Sequence, residues 1–240
     1  VIIFLSAIPE PELEAAALAG EQKKEGTLDS IKGALSHKNL VFGIIAIFLY
    51  VGVEVGIPNV LQKWLQNGGL NVATGAEAIA GTVTATYWFL MLVGRLLGAA
   101  VGAKVSAKAM LSTVSLVGLI FVVLAIFLNP STVVGLPVFK GTEGFGIAQV
   151  PVNAALLVLC GLCTSVMWGG IFNLAAEGLG KYTAIASGIF MTMVFFCAVM
   201  MAVQGYVADL FGYINSYWVV VICAAYVLFY AQIGSRTSKN

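Results

Sequence analysis

Charge is scarce in this 240-residue chain: 10% of the residues are Asp, Glu, Lys or Arg, against 60% hydrophobic. A water-soluble domain carries about 25% charged and 45–50% apolar residues. So little charge cannot cover a surface facing water, and a mean hydropathy of +0.99 places the chain in a lipid bilayer. The charges also nearly cancel, 12 basic against 11 acidic. That excludes nucleic-acid binding, which needs a clustered basic face.

Histidine, cysteine and proline are scarce as well. The single histidine, His37, lies in a polar stretch without HExxH or a carboxylate cluster, so it reads as a solvated loop residue. Cys160, Cys163, Cys197 and Cys223 all fall within apolar runs and read as small buried hydrophobes. Cys160 and Cys163 have CxxC spacing but no second ligand pair, which argues against zinc or redox chemistry. No metal site or cofactor is expected. An intramembrane enzyme would need paired catalytic groups within the spans, and the chain does not read as an enzyme. Six prolines beside 27 glycines set singly in apolar runs exclude a collagen-like or low-complexity chain.

What is present is a series of apolar runs. Residues 1–8 are apolar but far short of the ~20 needed to cross a bilayer, and no basic region precedes them. They read as the end of a truncated transmembrane helix. Residues 9–38 hold ten of the 23 charges and read as a cytoplasmic linker. Residues 39–240 then contain six runs of near-spanning length: 40–61, 82–102, 109–128, 152–176, 184–208 and 214–234. The expected fold is an all-α membrane bundle, with 129–151 as the longest external loop, turning at Gly141–Gly144. With the linker inside, nine Lys and Arg lie on the cytoplasmic side and only Lys63 and Lys140 outside. This positive-inside bias makes the carboxyl terminus cytoplasmic.

Polar residues within the runs are the candidate site. Glu54 sits near the middle of the first run, where a charged carboxylate costs roughly 2.5–3.5 kcal/mol on insertion scales. Tyr50 lies one turn earlier on its face, and Gly52 and Gly56 make the opposite face a packing surface. Pro58 and Asn59 follow and loosen the helix. This pattern suits a helix lining a polar cavity; the alternative is an acid hydrogen-bonded to a neighbour for structure alone. In the fourth run, Trp168 beside Thr164, Ser165 and Asn173 suits stacking on a sugar face while polar groups bond its hydroxyls. The alternative is a packing Trp with hydroxyls bonding their own helix. Tyr50, Glu54, Asn59, Thr164, Ser165, Trp168 and Asn173 are thus the substrate-binding candidates, and Glu54 is the candidate for proton coupling. Arg95 and Glu177, near the inner ends of the second and fourth runs, form an expected gate pair, unless Arg95 snorkels to headgroups alone. Gly94, Gly98 and Gly102, and Gly161, Ser165 and Gly169, make small-residue stripes expected to pack against other helices.

Four stretches resemble the fucose and glucose/galactose permease branch of the major facilitator superfamily. His37–Gly56 is similar to its seventh helix, and Tyr87-Trp88 with Val93–Gly98 to its eighth. Gly161–Thr183 resembles the tenth helix and following loop, and Gln204–Asp209 the end of the eleventh. The resemblance spans about residues 28 to 236. It implies the carboxyl-terminal six-helix half of a twelve-helix carrier, built of two inverted three-helix repeats. It further implies alternating-access transport of a hexose or deoxyhexose such as fucose, galactose or glucose, by proton symport, with Na+ as the other coupling ion. The implied partners are the sugar, the amino-terminal half and the bilayer of the plasma membrane. Two departures stand out. Thr164 and Trp168-Gly169-Gly170 replace the family's frequent Asn and Phe-Pro-Thr. Phe196–Val203 carries Met where the family has the Gly and Pro that bend the eleventh helix. Other readings are a carrier of another small polar solute or drug, or a structural membrane subunit.

Overall fold

The computed structural model of the protein describes residues 27–70, 72 and 74–236. The expected helix end at 1–8 and linker residues 9–26 lie outside the described residues. A short helix, α1 (Thr27–Leu35), precedes six spans. The first is α2 (Lys38–Trp64), prolonged by a wide turn at Leu65–Gly69; the second is α3 (Ala76–Gly102) and the third α4 (Ala107–Phe127). The fourth is α5 (Val152–Thr164) with α6 (Met167–Ala176). The fifth is α7 (Thr183–Phe195) with α8 (Cys197–Phe211), and the sixth is α9 (Tyr217–Phe229) with its last turn at Tyr230–Gly234. All six are long and apolar enough to cross a membrane. The protein is an integral, multi-pass membrane protein.

The first span is apolar on every side, which fits a central position. It packs against α3, α6, α8 and α9, while α5 fills the space between α3 and α4. The fifth span is the least buried. Between spans, buried side chains donate to backbone carbonyls of other helices. Tyr217 Oη donates to the Ile57 carbonyl (2.9 Å) and Tyr230 Oη to that of Asn39 (3.3 Å). Asn39 Nδ2 donates to the carbonyls of Ala175 (3.1 Å) and Glu177 (2.9 Å), closing the end of α6. Asn153 Nδ2 does the same for the end of α4, at Ala125 (2.7 Å) and Leu128 (2.9 Å). In hydrocarbon such carbonyls find no water, so these bonds satisfy helix ends that would otherwise be costly.

Four expectations are corrected here. Residues 129–151 are largely a β-hairpin, β1 (Val133–Phe139) paired antiparallel with β2 (Phe145–Pro151), rather than a loop. Its inward residues Leu136, Val138 and Val150 are buried, and its turn falls at Gly141–Glu143 as the glycines suggested. The Phe139 amide donates to Thr86 Oγ1 (2.8 Å), and Phe139 stacks on Phe89, which fixes the hairpin to α3. Pro58 does not loosen the first span, which stays helical through it. The fourth run is broken at Ser165–Val166 rather than continuous. Finally, the fifth span is interrupted at Phe196 without Gly or Pro. The Phe196 amide donates to Met193 (3.1 Å) and the Val199 amide to Phe196 (3.0 Å), tight i→i+3 turns that interrupt the helix.

Candidate functional site

A polar cluster forms where α2, α3 and the break in the fourth span meet, and its origin is visible in the sequence. Pro58 has no N–H to donate to the Glu54 carbonyl four residues earlier. The Tyr87 hydroxyl of α3 takes that carbonyl instead, at 3.0 Å. The Tyr87 and Thr164 hydroxyls also lie within hydrogen-bond distance of each other, at 3.0 Å, and Thr164 Oγ1 is within reach of the Cys160 (3.2 Å) and Gly161 (3.3 Å) carbonyls of its own helix. The helix α5 ends at Thr164, and its carbonyl receives the Tyr50 hydroxyl at 3.1 Å. Tyr50, Tyr87 and Thr164 are buried, so each bond replaces water that the interior lacks. Three spans are locked together through one proline and one helix break.

The charged pair sits beside this lock. Arg95 Nη2 donates to Glu54 Oε1 at 3.3 Å, with the side chains 58% and 13% exposed respectively. The Trp168 ring lies 6.4 Å from that of Tyr50, tilted by 57°. The cluster therefore offers a carboxylate, a guanidinium, a phenol and an indole within a few helical turns. Such a set can donate to, accept from and stack on a neutral polyhydroxylated solute.

The expected site residues divide. Tyr50, Glu54, Thr164 and Trp168 come together. Ser165 does not join them: its hydroxyl donates to the Leu162 carbonyl (2.6 Å) of its own helix, and its side chain packs against Gly94. Asn59 lies further along α2, bonded to the Val55 carbonyl (2.7 Å). Asn173 lies at the other end of the bundle, in a cavity it shares with Glu177 and Arg236. The expected gate pair is also corrected. Arg95 pairs with Glu54, and among the described residues Glu177 makes no ion pair. The reason is depth: Arg95 is two turns inside its helix, level with Glu54, whereas Glu177 follows the last turn of α6 and is exposed.

Of the small-residue stripes, Gly94, Gly98 and Gly161 pack as expected, against Ser165, Val166 and Tyr87. Gly102 and Gly169 do not. Gly102 ends α3 with only Met110 at 4.0 Å, and a methyl at Gly169 would meet nothing. Gly170 does meet a neighbour, Leu111 of α4, on a different face of the span. Gly52 and Gly56 face Met200 and Gln204 of α8, pairing two four-residue steps. Tyr87 and Gln204 are the residues the candidate set lacked. An unpaired carbonyl four residues before Pro58 was the signal for Tyr87.

The six-span fold is similar to about half the length of a solved major facilitator superfamily transporter. FucP, a major facilitator superfamily transporter solved in the outward conformation, matches 83% of this chain and 43% of its own, with a TM-score of 0.66 and 18% identity. A variant of the E. coli fucose:proton symporter FucP matches 90% of this chain and 48% of its own, with a TM-score of 0.75 and 17% identity. No family model matches the chain. In sequence it is similar to the glucose/galactose transporter of Brucella abortus biovar 1 (strain 9-941), 30% identical over 235 residues, 98% of this chain and 50% of that protein. It is also 28% identical over 249 residues to the putative glucose/galactose transporter of Helicobacter pylori (strain J99), covering 100% of this chain and 52% of that protein. The chain spans about half the length of the curated relatives it matches.

Proposed function

We propose that this chain is the carboxyl-terminal half of a secondary active carrier of the major facilitator superfamily. The carrier moves a hexose or deoxyhexose such as fucose, galactose or glucose by alternating access, in symport with protons. The observation that carries the reading is the Glu54–Arg95 pair beside Tyr50, Thr164 and Trp168 inside a membrane bundle. A membrane protein keeps ionisable groups at such depth for a pathway or a coupling ion. The names and half-length coverage of its relatives support the sugar and the second, amino-terminal half. The fucose:proton symporter's fold supports the proton, and Na+ is the other coupling ion to test.

Glu54 is assigned both sugar binding and coupling. Glu54→Gln keeps shape and polarity but removes the titratable proton. In proteoliposomes holding the full-length carrier, counterflow with labelled fucose, galactose and glucose should show exchange of at least one. The Gln variant should retain that exchange yet lose pH-driven accumulation. Unimpaired accumulation by Glu54→Gln and Glu54→Ala would overturn the assignment. Exchange of none of the three sugars would leave a carrier of another small polar solute or drug.

The same reading places α1 and residues 9–26 in a cytoplasmic linker and the carboxyl terminus inside. The membrane is the plasma membrane, the inner one in a Gram-negative cell. Gln66, Glu143 and Ser106 are exposed, which makes them suitable reporters. Gln66→Cys and Glu143→Cys should react with an impermeant thiol reagent on intact cells, and Ser106→Cys only after permeabilisation. The reverse pattern would invert the topology.

A further inference from the structure

A second polar cavity lies away from the Glu54 cluster, between the far half of α2 and α8. It has a volume of about 200 Å³ and is lined by Asn59 and Lys63 of α2, Gln204, Gly205 and Asp209 of α8, and Tyr213 beyond it. Drug-sized sites span about 300–1,000 Å³, so this one fits a single small solute. Its wall holds an anomaly. Gln204 is 2% exposed, and its amide nitrogen has no hydrogen-bond partner. A buried amide without a partner is costly, and the carboxamide oxygen occupies the space that a side chain at Gly56 would fill. Tyr213 Oη accepts from Asn67 Nδ2 (3.2 Å), which leaves its own proton free. Asn59 spends an amide proton on Val55, which leaves its carbonyl oxygen as an acceptor.

We infer that this cavity is a solute subsite distinct from the Glu54 cluster, in which the Gln204 carboxamide, now set into the wall, turns toward the cavity and donates to a hydroxyl of a neutral polyhydroxylated molecule. Both charge signs line it, Lys63 and Asp209, so it favours neither an anion nor a cation. Amide, phenol and carboxylate supply the mixed donors and acceptors that ring hydroxyls match. The subsite rests on the transport reading for its role: it holds the solute on the hairpin side of the bundle, before or after passage through the cluster.

Gly205 offers a reporter, because a methyl built there meets nothing within 4 Å. In the full-length carrier, Gly205→Cys should react with an impermeant maleimide, and glucose, galactose or fucose should slow that reaction. The protection should persist when Glu54→Ala disables the other cluster. It should weaken about three- to tenfold in apparent sugar affinity in Gln204→Leu, the size of one neutral hydrogen bond. Tyr213→Phe, at the rim, gives a second and milder variant if Gln204→Leu fails to fold. No protection by any of the sugars overturns the subsite, as does protection that Gln204→Leu and Tyr213→Phe leave unchanged. Protection that vanishes with Glu54→Ala overturns its independence. A carrier that transports none of the sugars yet shows protection would sink the transport reading and leave the subsite standing.

Discussion

Neutralising Arg95 should cut uptake by the full-length carrier by about tenfold or more while leaving its thermal stability nearly unchanged. The two halves of that expectation come from one observation. Arg95 is more than half exposed, and an exposed ion pair contributes about 0–1 kcal/mol to stability. Its value must therefore lie in what Glu54 does. Without the guanidinium, the Glu54 carboxyl loses the group that orients it toward the solute. Arg95→Gln and Glu54→Gln should each impair accumulation, and the double variant should be little worse than either single one. The charge-exchanged pair, Arg95→Glu with Glu54→Arg, should recover part of the activity. Glu177→Gln should add independently to Arg95→Gln, since Glu177 stands apart at the end of α6. A double-mutant cycle that instead couples Arg95 to Glu177 and not to Glu54 would show that the working pair forms in another conformation of the carrier.

The contrast between Glu54 and its partner shows how far a sequence of this kind can be read. A lone carboxylate in an apolar run is conspicuous, because hydrocarbon makes every charge an exception. The same holds for the six spans, which need only length and hydropathy. Pairing is different. Which cation meets Glu54 depends on how α3 is rotated and at what depth it crosses α2, and no periodicity within one helix encodes that. The glycine stripes make the same point within a single span. Four-residue spacing placed Gly94, Gly98 and Gly161 at contacts, but Gly169 lies past a break that no Gly or Pro announces and meets no neighbour. The hairpin was missed for a related reason: membrane hydropathy hides a short alternation such as Val134, Leu136 and Val138. Tyr87 was readable in principle. A proline inside a buried helix leaves a carbonyl four residues back, and asking what donates to it leads to a tyrosine on the next span.

Replacing Gly161 by Ala should destabilise the protein more than the same change at any other glycine of these stripes. A methyl group at 161 would lie 2.5 Å from the carbonyl oxygen of Tyr87 and 3.3 Å from its carbonyl carbon. Backbone of a packed helix cannot yield as a side-chain tip does, so α3 and α5 must move apart. At Gly98 the obstacle is a Val166 methyl that can turn away; at Gly94 the Ser165 hydroxyl can turn, while Ser165 Cβ (2.8 Å) and the Leu162 carbonyl oxygen (3.0 Å) lie further off than the Tyr87 oxygen at Gly161. Overpacking of this kind costs about 1–3 kcal/mol, which for a chain of this size is roughly 2–12 °C in Tm. Gly169→Ala is the control. It meets open space and exchanges a weak helix former for the strongest, so its Tm should hold or rise. Separation of α3 from α5 also stretches the bond between Tyr87 and Thr164, and with it the support of the Glu54 carbonyl. Gly161→Ala should therefore lose transport beyond what its reduced folded fraction explains, measured per folded carrier by counterflow. Equal thermal stability for Gly161→Ala and Gly169→Ala in detergent would mean that α3 and α5 do not approach this closely. Normal counterflow per folded carrier would mean that the Tyr87 lock does not serve the site.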